Sequence, residues 1–343
     1  MKRLCGFGDV HFSAMNPWNI KAGDNFLDWF EKQDFGPKED TESIWAGDIA
    51  EKDTNPGIVI AQMNRLFESC EKKFKHTYVV VGNHDKKLYH DVLQYSLMFL
   101  EGNPAFTVIN TPQVITSKNN FKILALPHLH ATETGSLSLS DFYTKYLKQF
   151  SNNESWDVVC GHWNIQETDS DGFMSDGVDI SPIKDKVHCW MLGHIHKRVR
   201  EEYLGSIWPN KYDEQDSPNP RCYKVYKDNE TIEEVYLPEF LHYDNIKFGD
   251  EVPEQKPNCE YVYCITNCSS EILAKEKYPN INIRGIERKE QVDFSEVKSD
   301  ETFDAFSVSF SEAYTKMRNE LKVPISRGAN TIIRSLLEKK DGN

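Results

Sequence analysis

The sequence predicts an α/β fold: a sheet with helices on its faces, then a small β-α-β lobe and two terminal helices. Three observations carry this reading. Short apolar runs alternate with helical periodicity through the first half of the chain. The middle is richer in strand-like runs. Near Phe248 the composition changes, and residues 251–258 form a polar stretch with two prolines that reads as a linker. At 343 residues, 39% hydrophobic and 12% aromatic, the chain can bury a substantial core, as one large domain with additions or as two domains.

Residues 4–8 read as the first strand. Residues 25–31 carry Phe26, Leu27 and Phe30 on one helical face, and 44–47 form the second strand. From 58 to 74, Val59, Met63, Leu66, Cys70 and Phe74 recur at helical spacing. Residues 78–81 are strand-like, and 88–100 read as helix. Strands are expected at 106–109, 114–116 and 121–126, the last two joined by a turn near Asn119-Asn120. A helix over 139–150 and buried strands at 158–160 and 189–192 follow. The strand pattern continues over 199–204, 222–226 and 233–236, with a turn at 227–230. Beyond the linker, Tyr261, Tyr263 and Ile265 alternate in a strand over 260–266. Residues 269–277 look helical, with Ser269 or Ser270 as cap and Glu271 early in the helix, and 281–286 form another strand. After a charged stretch at 287–300, residues 302–321 and 326–339 read as amphipathic helices split at Val323-Pro324.

The net charge of −14 argues against a free-standing, nonspecific nucleic-acid binder, which needs a basic surface. It does not exclude a nuclease, because divalent cations offset local carboxylate charge. The eight cysteines contain no Cys-x-x-Cys pair, and the spacing of Cys259, Cys264 and Cys268 is not that of a zinc site, so free structural thiols are expected. The first residues hold too short an apolar run for a signal peptide, and no run reaches membrane-spanning length, which leads to the expectation of a cytoplasmic protein with no membrane partner.

Five short clusters carry chemistry: Asp9-Val10-His11, Gly47-Asp48, Gly82-Asn83-His84-Asp85, Gly161-His162 and Gly193-His194-Ile195-His196. Each follows an apolar run, and loops at strand ends of an α/β sheet collect in one crevice. Imidazole together with carboxylate favours manganese, iron or zinc over calcium. Asp9 and His11 can share one ion where the chain bends off its strand; His194 and His196 can each serve a different one. Asp48 can bridge two ions, Asn83 supplies an amide oxygen, and His84, beside a ligand, is free for acid catalysis or charge stabilisation. Asp-x-His or Gly-Asp alone is a common chance match; the joint occurrence of all five clusters in this order is not.

This set resembles the signature of the calcineurin-like metallophosphoesterase superfamily, and within it the SbcD-like nuclease subunits of DNA-repair and phage recombination complexes. The similarity includes Tyr203-Leu204-Gly205-Ser206, which is similar to a Tyr-x-Gly-Ser/Thr segment after the last histidine motif. The resemblance implies a metallophosphoesterase β-sandwich flanked by helices over 1–247, an α+β capping lobe over 258–290, and C-terminal helices over 300–343 that bind an SbcC-like coiled-coil ABC-type ATPase. It implies two divalent ions, manganese foremost, with magnesium, iron and zinc as alternatives. Asp9, His11, Asp48 and His196 would hold the first; Asp48, Asn83, His162 and His194 the second; His84 would be catalytic. One departure is visible: many cellular relatives place a histidine three residues after the bridging aspartate, and here that position is Glu51.

The expected activity is DNA hydrolysis by a two-metal-activated hydroxide, as single-strand endonuclease and double-strand exonuclease, in a homodimer within its complex. The alternative is a metallophosphodiesterase or phosphatase for small molecules or phosphoproteins. Phosphoprotein phosphatases usually carry Gly-Asp-x-Val-Asp-Arg-Gly and Gly-Asn-His-Glu, whereas this chain has Gly47-Asp48-Ile49-Ala50-Glu51-Lys52-Asp53 and Gly82-Asn83-His84-Asp85. A non-catalytic scaffold would show broken ligand positions, and none is broken. His128 and His130 could border the site; His76, His90, His188 and His242 read as structural. Asp169, Asp171, Asp176 and Asp179 lie in a polar loop without a full calcium-loop pattern. Lys197, Arg198 and Arg200 could contact phosphates or line an exposed strand. Ile332, Ile333, Leu336 and Leu337 make an apolar stripe suited to a partner's coiled coil or to self-packing.

Overall fold

A computed structural model describes residues 1–52, 56–90, 92–151, 155–167, 176–197, 200–215 and 222–287, all within the compact unit Met1–Lys289. The expected helices at 300–343, the end of the 258–290 lobe, Asp169, Asp171 and Arg198 lie outside the described residues.

Strands and helices alternate as the sequence predicts. β1 (Arg3–Phe7), α1 (Pro17–Lys32), β2 (Thr41–Trp45), α2 (Gly57–Lys73) and β3 (Thr77–Val80) come first. β4 (Lys86–Tyr89) and β5 (Val92–Tyr95) form a separate hairpin, and β6 (Phe106–Ile109) rejoins the sheet, giving a parallel run β1-β2-β3-β6. β7 (Gln113–Thr116), β8 (Lys122–Leu126), α3 (Ala131–Thr134), α4 (Leu139–Leu147), β9 (Trp156–His162) and β10 (Val187–Gly193) supply a second sheet of order β10-β9-β8-β7, antiparallel only at β7. β11 (Cys222–Tyr226) and β12 (Thr231–Val235) extend the first sheet antiparallel beyond β1. β13 (Leu241–Lys247), β14 (Glu260–Thr266), α5 (Glu271–Lys277) and β15 (Asn282–Glu287) form a third, parallel sheet.

The two large sheets face each other. Leu4, Ile44, Tyr78 and Val80 of one meet Ile123, Val158, Cys160 and Met191 of the other in a buried cluster. On the outer face of the first sheet, Phe7 and Trp45, stacked at 4.3 Å, pack with Phe26 and Phe30 of α1 and Met63 and Leu66 of α2. Both helices end on lysines, which suit the negative end of the helix dipole. On the second sheet, α4 sets Tyr143 and Leu147 with Leu124 and Val159. The result is the expected β-sandwich flanked by helices. The third sheet shares the α1 side of the core through Leu241, Tyr243 and Val262.

Three elements differ from the sequence reading. Residues 88–100 are not a helix but the β4–β5 hairpin and a 3-10 turn at Met98–Leu100. Leu88, Val92, Tyr95 and Phe99 fall at helical spacing, but His90 adopts a left-handed φ of 46° and turns the chain between the paired Tyr89 and Val92. In the stretch at 199–204, described from residue 200 onward, only Tyr203 makes a β-bridge, to Leu192. β13 is a strand the reading lacked; it pairs in parallel with β14 across the linker. The eight cysteines are free thiols; burial pushes those of Cys5 and Cys189 up to about 12, away from reactivity.

A polar clasp joins the sheets. Glu42 of β2 is fully buried, and its carboxylate accepts from Ser117 Oγ at 2.6 Å, Lys118 N at 2.8 Å, Asn119 N at 3.1 Å and Tyr78 Oη at 3.4 Å. These donors include the turn between β7 and β8. Glu42→Ala strands them and is expected to cost about 3 kcal/mol or more in urea unfolding; a loss under about 1 kcal/mol would show the clasp to be dispensable.

Candidate metal centre

All five clusters emerge where parallel strands end: after β1, β2 and β3 in one sheet, and at the ends of β9 and β10 in the other. Close packing there requires small residues. A Cβ on Gly82 would lie 2.1 Å from Asp48 Oδ1, and one on Gly193 would lie 2.2 Å from Asp9 Oδ1. His11, Asp48 and His194 sit at φ of 54°, 47° and 82°, a conformation that side chains rarely adopt and that concentrates at functional sites.

Backbone N–H groups aim the two carboxylates. His84 N donates to Asp48 Oδ1 at 2.8 Å, and His194 N to Asp9 Oδ2 at 2.8 Å. The remaining oxygens face the imidazoles. Asp48 Oδ2 lies 3.0 Å from His162 Nε2 and 3.7 Å from His11 Nε2, so one oxygen stands between two groups of side chains. Asn83 Oδ1 lies 2.9 Å from both His162 Nε2 and His194 Nδ1. On the other side, Asp9, His11 and His196 each offer a ligand atom within 4.8 Å of the others. The structure thus brings all seven sequence-predicted ligands into one cage with Asp48 in the middle.

The cage fits cations on chemical grounds. His162 Nδ1 donates to Ala46 O at 2.8 Å, which leaves the lone pair of Nε2 in the neutral ring pointing at two acceptors, Asn83 Oδ1 and Asp48 Oδ2. Only a proton or a cation reconciles that arrangement. The separations of 2.9–3.0 Å match the edge of an octahedron with bonds of about 2.1 Å, which is about 3.0 Å. Asp9 Oδ1 and both ring nitrogens of His11 are buried without a hydrogen-bond partner among the described residues, although Glu51 Oε2 comes within 2.9 Å of His11 Nδ1.

The charges agree. Burial opposes a charged His162, yet Asp48 and Asp9 raise it to about 10. Burial raises Asp9, whereas Asp48, despite burial, is held below the usual carboxylate range by His162, His11 and His84. Burial and the charge of His162 push His194 down to about 3.

His84 stands beside the cage, its side chain 37% exposed and its ring centroid 5.0 Å from that of His11. Its Nδ1 lies 2.7 Å from Glu51 O, so an Nδ1–H donates to that carbonyl. The loop bearing Asn83 and His84 is anchored on both sides. Buried Asp85 accepts from Gly82 N at 3.0 Å and Ala50 N at 3.4 Å. The ammonium of Lys86 binds Glu133 at 2.8 Å and the carbonyls of Asn110 and His128.

The other candidates divide. His128 borders the cage: burial and the charge of His162 lower it to about 4. His130 instead caps α3. Arg200 is committed to Glu202 at 2.8 Å and Glu167 at 3.5 Å. His76 and His242 are held by Thr107 and Glu239. The segment 203–206 packs under the site: Ser206 N donates to His196 O, and Ile207 N to Asp9 O. Two supporting acids carry no sequence signal as such. Glu51, the departure noted above, sets Oε2 2.9 Å from His11 Nδ1. Glu214 sets Oε1 3.0 Å from His196 Nδ1; despite burial, His196 and the Asn210 and Lys211 N–H groups hold its carboxyl below the usual range.

Residues 2–198 match the family model described as calcineurin-like phosphoesterase. No curated protein shows a significant match to the chain. Among solved structures, a protein of unknown function from Aquifex aeolicus is similar at 17% identity over 48% of this chain and 81% of that chain, with a TM-score of 0.26. No helix among the described residues is long and apolar enough to cross a membrane.

Proposed function

The chain belongs to the calcineurin-like phosphoesterase family and is a metal-dependent phosphoesterase; from that premise we propose that it is a DNA nuclease acting with two manganese ions, as the nuclease subunit of an SbcCD-like complex. The observation that carries the hydrolytic reading is the cage itself, with Asp48 Oδ2 between His11 and His162. The motif order, the 203–206 segment and the third sheet after β12 support the DNA-nuclease subtype through their resemblance to SbcD-like subunits. In this reading β13–β15 cap the site, residues 300–343 dock the coiled-coil ATPase, and the protein pairs as a homodimer.

Bound divalent ions supply an acidified water and neutralise the phosphate oxygens. The residues do the rest. Asp9, His11, Asp48 and His196 hold one ion; Asp48, Asn83, His162 and His194 hold the other. His84, its Nδ1–H on the Glu51 carbonyl, presents Nε2 to protonate the leaving oxygen or stabilise charge on the phosphorane. Asp85 keeps the His84 loop in register with the Asp48 loop.

The test is digestion of end-labelled single- and double-stranded DNA with manganese, with and without a candidate ATPase subunit, beside bis-p-nitrophenyl phosphate and a phosphopeptide. Cleavage of DNA in preference to the small substrates is expected, and chelator should abolish it with recovery on adding manganese. Equal or faster turnover of the small diester or the phosphopeptide would overturn the DNA assignment in favour of a small-molecule or phosphoprotein phosphoesterase.

A further inference from the structure

One more strand end reaches the cage without supplying a ligand. β8 runs parallel to β9 with Leu126 opposite Gly161, so Pro127 and His128 leave the sheet beside His162. There the chain crosses between the two sheets. His128 N donates at 2.9 Å to the carbonyl of Val81, the residue before Gly82-Asn83. His128 therefore stands on the side of Asn83, His162 and His194. The His84 ring stands on the other side, its centroid 5.0 Å from that of His11.

The backbone of this crossing is tied at each step. Tyr143 Oη donates to Pro127 O. The buried ammonium of Lys86 donates to His128 O at 3.1 Å and pairs with Glu133 at 2.8 Å. Glu133 in turn accepts from His130 N at 2.8 Å, and Leu129 is buried between them. The His128 ring is what remains over. It is half-buried, has no hydrogen bond among the described residues, and lies close enough to the cage to feel the charges of His162 and Asp48. A polar group on a backbone fixed beforehand meets a ligand with little further ordering cost.

We propose that His128 is a substrate-positioning residue: its ring N–H donates a hydrogen bond to a phosphate oxygen of the bound phosphoester, from the flank opposite His84. This rests on the hydrolytic reading above but not on DNA as the substrate, because a phosphate oxygen is common to every phosphoester. The contact is present before and during the chemical step alike. It therefore acts on KM and leaves kcat nearly unchanged.

The test is steady-state kinetics of the full-length protein with manganese, on DNA and on bis-p-nitrophenyl phosphate, with metal content read by mass spectrometry. His128→Ala should raise KM by about 10–100-fold, the weight of a hydrogen bond to a charged group. Its kcat should stay within about threefold and its metal content should match the unmodified protein. His128→Phe keeps a ring without a donor and should behave like His128→Ala. His128→Gln keeps an N–H donor and should bring KM back to within about threefold of the original. Recovery by phenylalanine would reduce the ring to packing. Loss of an ion from His128→Ala would place the ring among the ligands. Either result, an unchanged KM, or a loss carried by kcat would overturn the proposal. Turnover of the diester alone by the unmodified protein would overturn the DNA assignment and leave His128 to be judged on the diester; turnover of neither substrate would overturn both.

Discussion

Asp48→Asn is expected to empty the centre and stop hydrolysis, with a loss of at least about 10³-fold in turnover, or about 4 kcal/mol of barrier. Asp48 faces both ligand groups through one oxygen: its Oδ2 lies 3.0 Å from His162 Nε2 and 3.7 Å from His11 Nε2. Its other oxygen is already used by the His84 N–H at 2.8 Å. Asparagine keeps the size but cannot keep both roles. If its oxygen stays on His84 N, its NH₂ faces the cations; if it flips, the NH₂ meets the His84 N–H. The lost negative charge also removes a main counterweight to His162 and His11. Metal content by mass spectrometry and turnover on DNA read the outcome together. A variant that retains two ions and a rate within tenfold of the original would remove Asp48 from the bridging role.

The sandwich and the side chains clustered at its strand ends were legible in the sequence for a physical reason. Buried parallel strands such as β1 to β3 read as apolar runs, and the glycines after β2 and β3 make room for clustered side chains, Gly47 for His162 and Gly82 for Asp48. What was illegible depends on contacts between distant segments. Glu214 is 18 residues from His196, and only the folding back of 210–215 brings its carboxylate to the imidazole. β13 carries His242, Asp244 and Asn245, and its partner β14 lies beyond the linker, so no local pattern marks it as a strand. The β4–β5 hairpin was misread because its apolar spacing satisfies a helix, while one left-handed residue, His90, reverses the chain. Glu51 showed in the sequence only as a missing histidine, and the fold brings its Oε2 within 2.9 Å of His11 Nδ1.

His84→Ala should separate chemistry from binding. His84 touches the cage through its backbone N–H, which donates to Asp48 Oδ1 and survives the substitution. Its ring is 37% exposed and bonded at Nδ1 to the Glu51 carbonyl, outside the ligand set assigned to either ion. Removing the ring should therefore leave two ions per chain and an unchanged melting temperature. Turnover should fall about 10²–10⁴-fold, the usual contribution of a positioned acid. The substrate comparison then decides what the ring does. A poor alkoxide leaving group, as in DNA, needs a proton; p-nitrophenolate departs without one. If His84 is the acid, the loss on DNA should exceed the loss on a p-nitrophenyl diester by at least about tenfold. Equal losses would assign the ring to stabilising the phosphorane charge, and loss of either ion from the variant would place His84 within the metal cage and remove it from the catalytic role altogether.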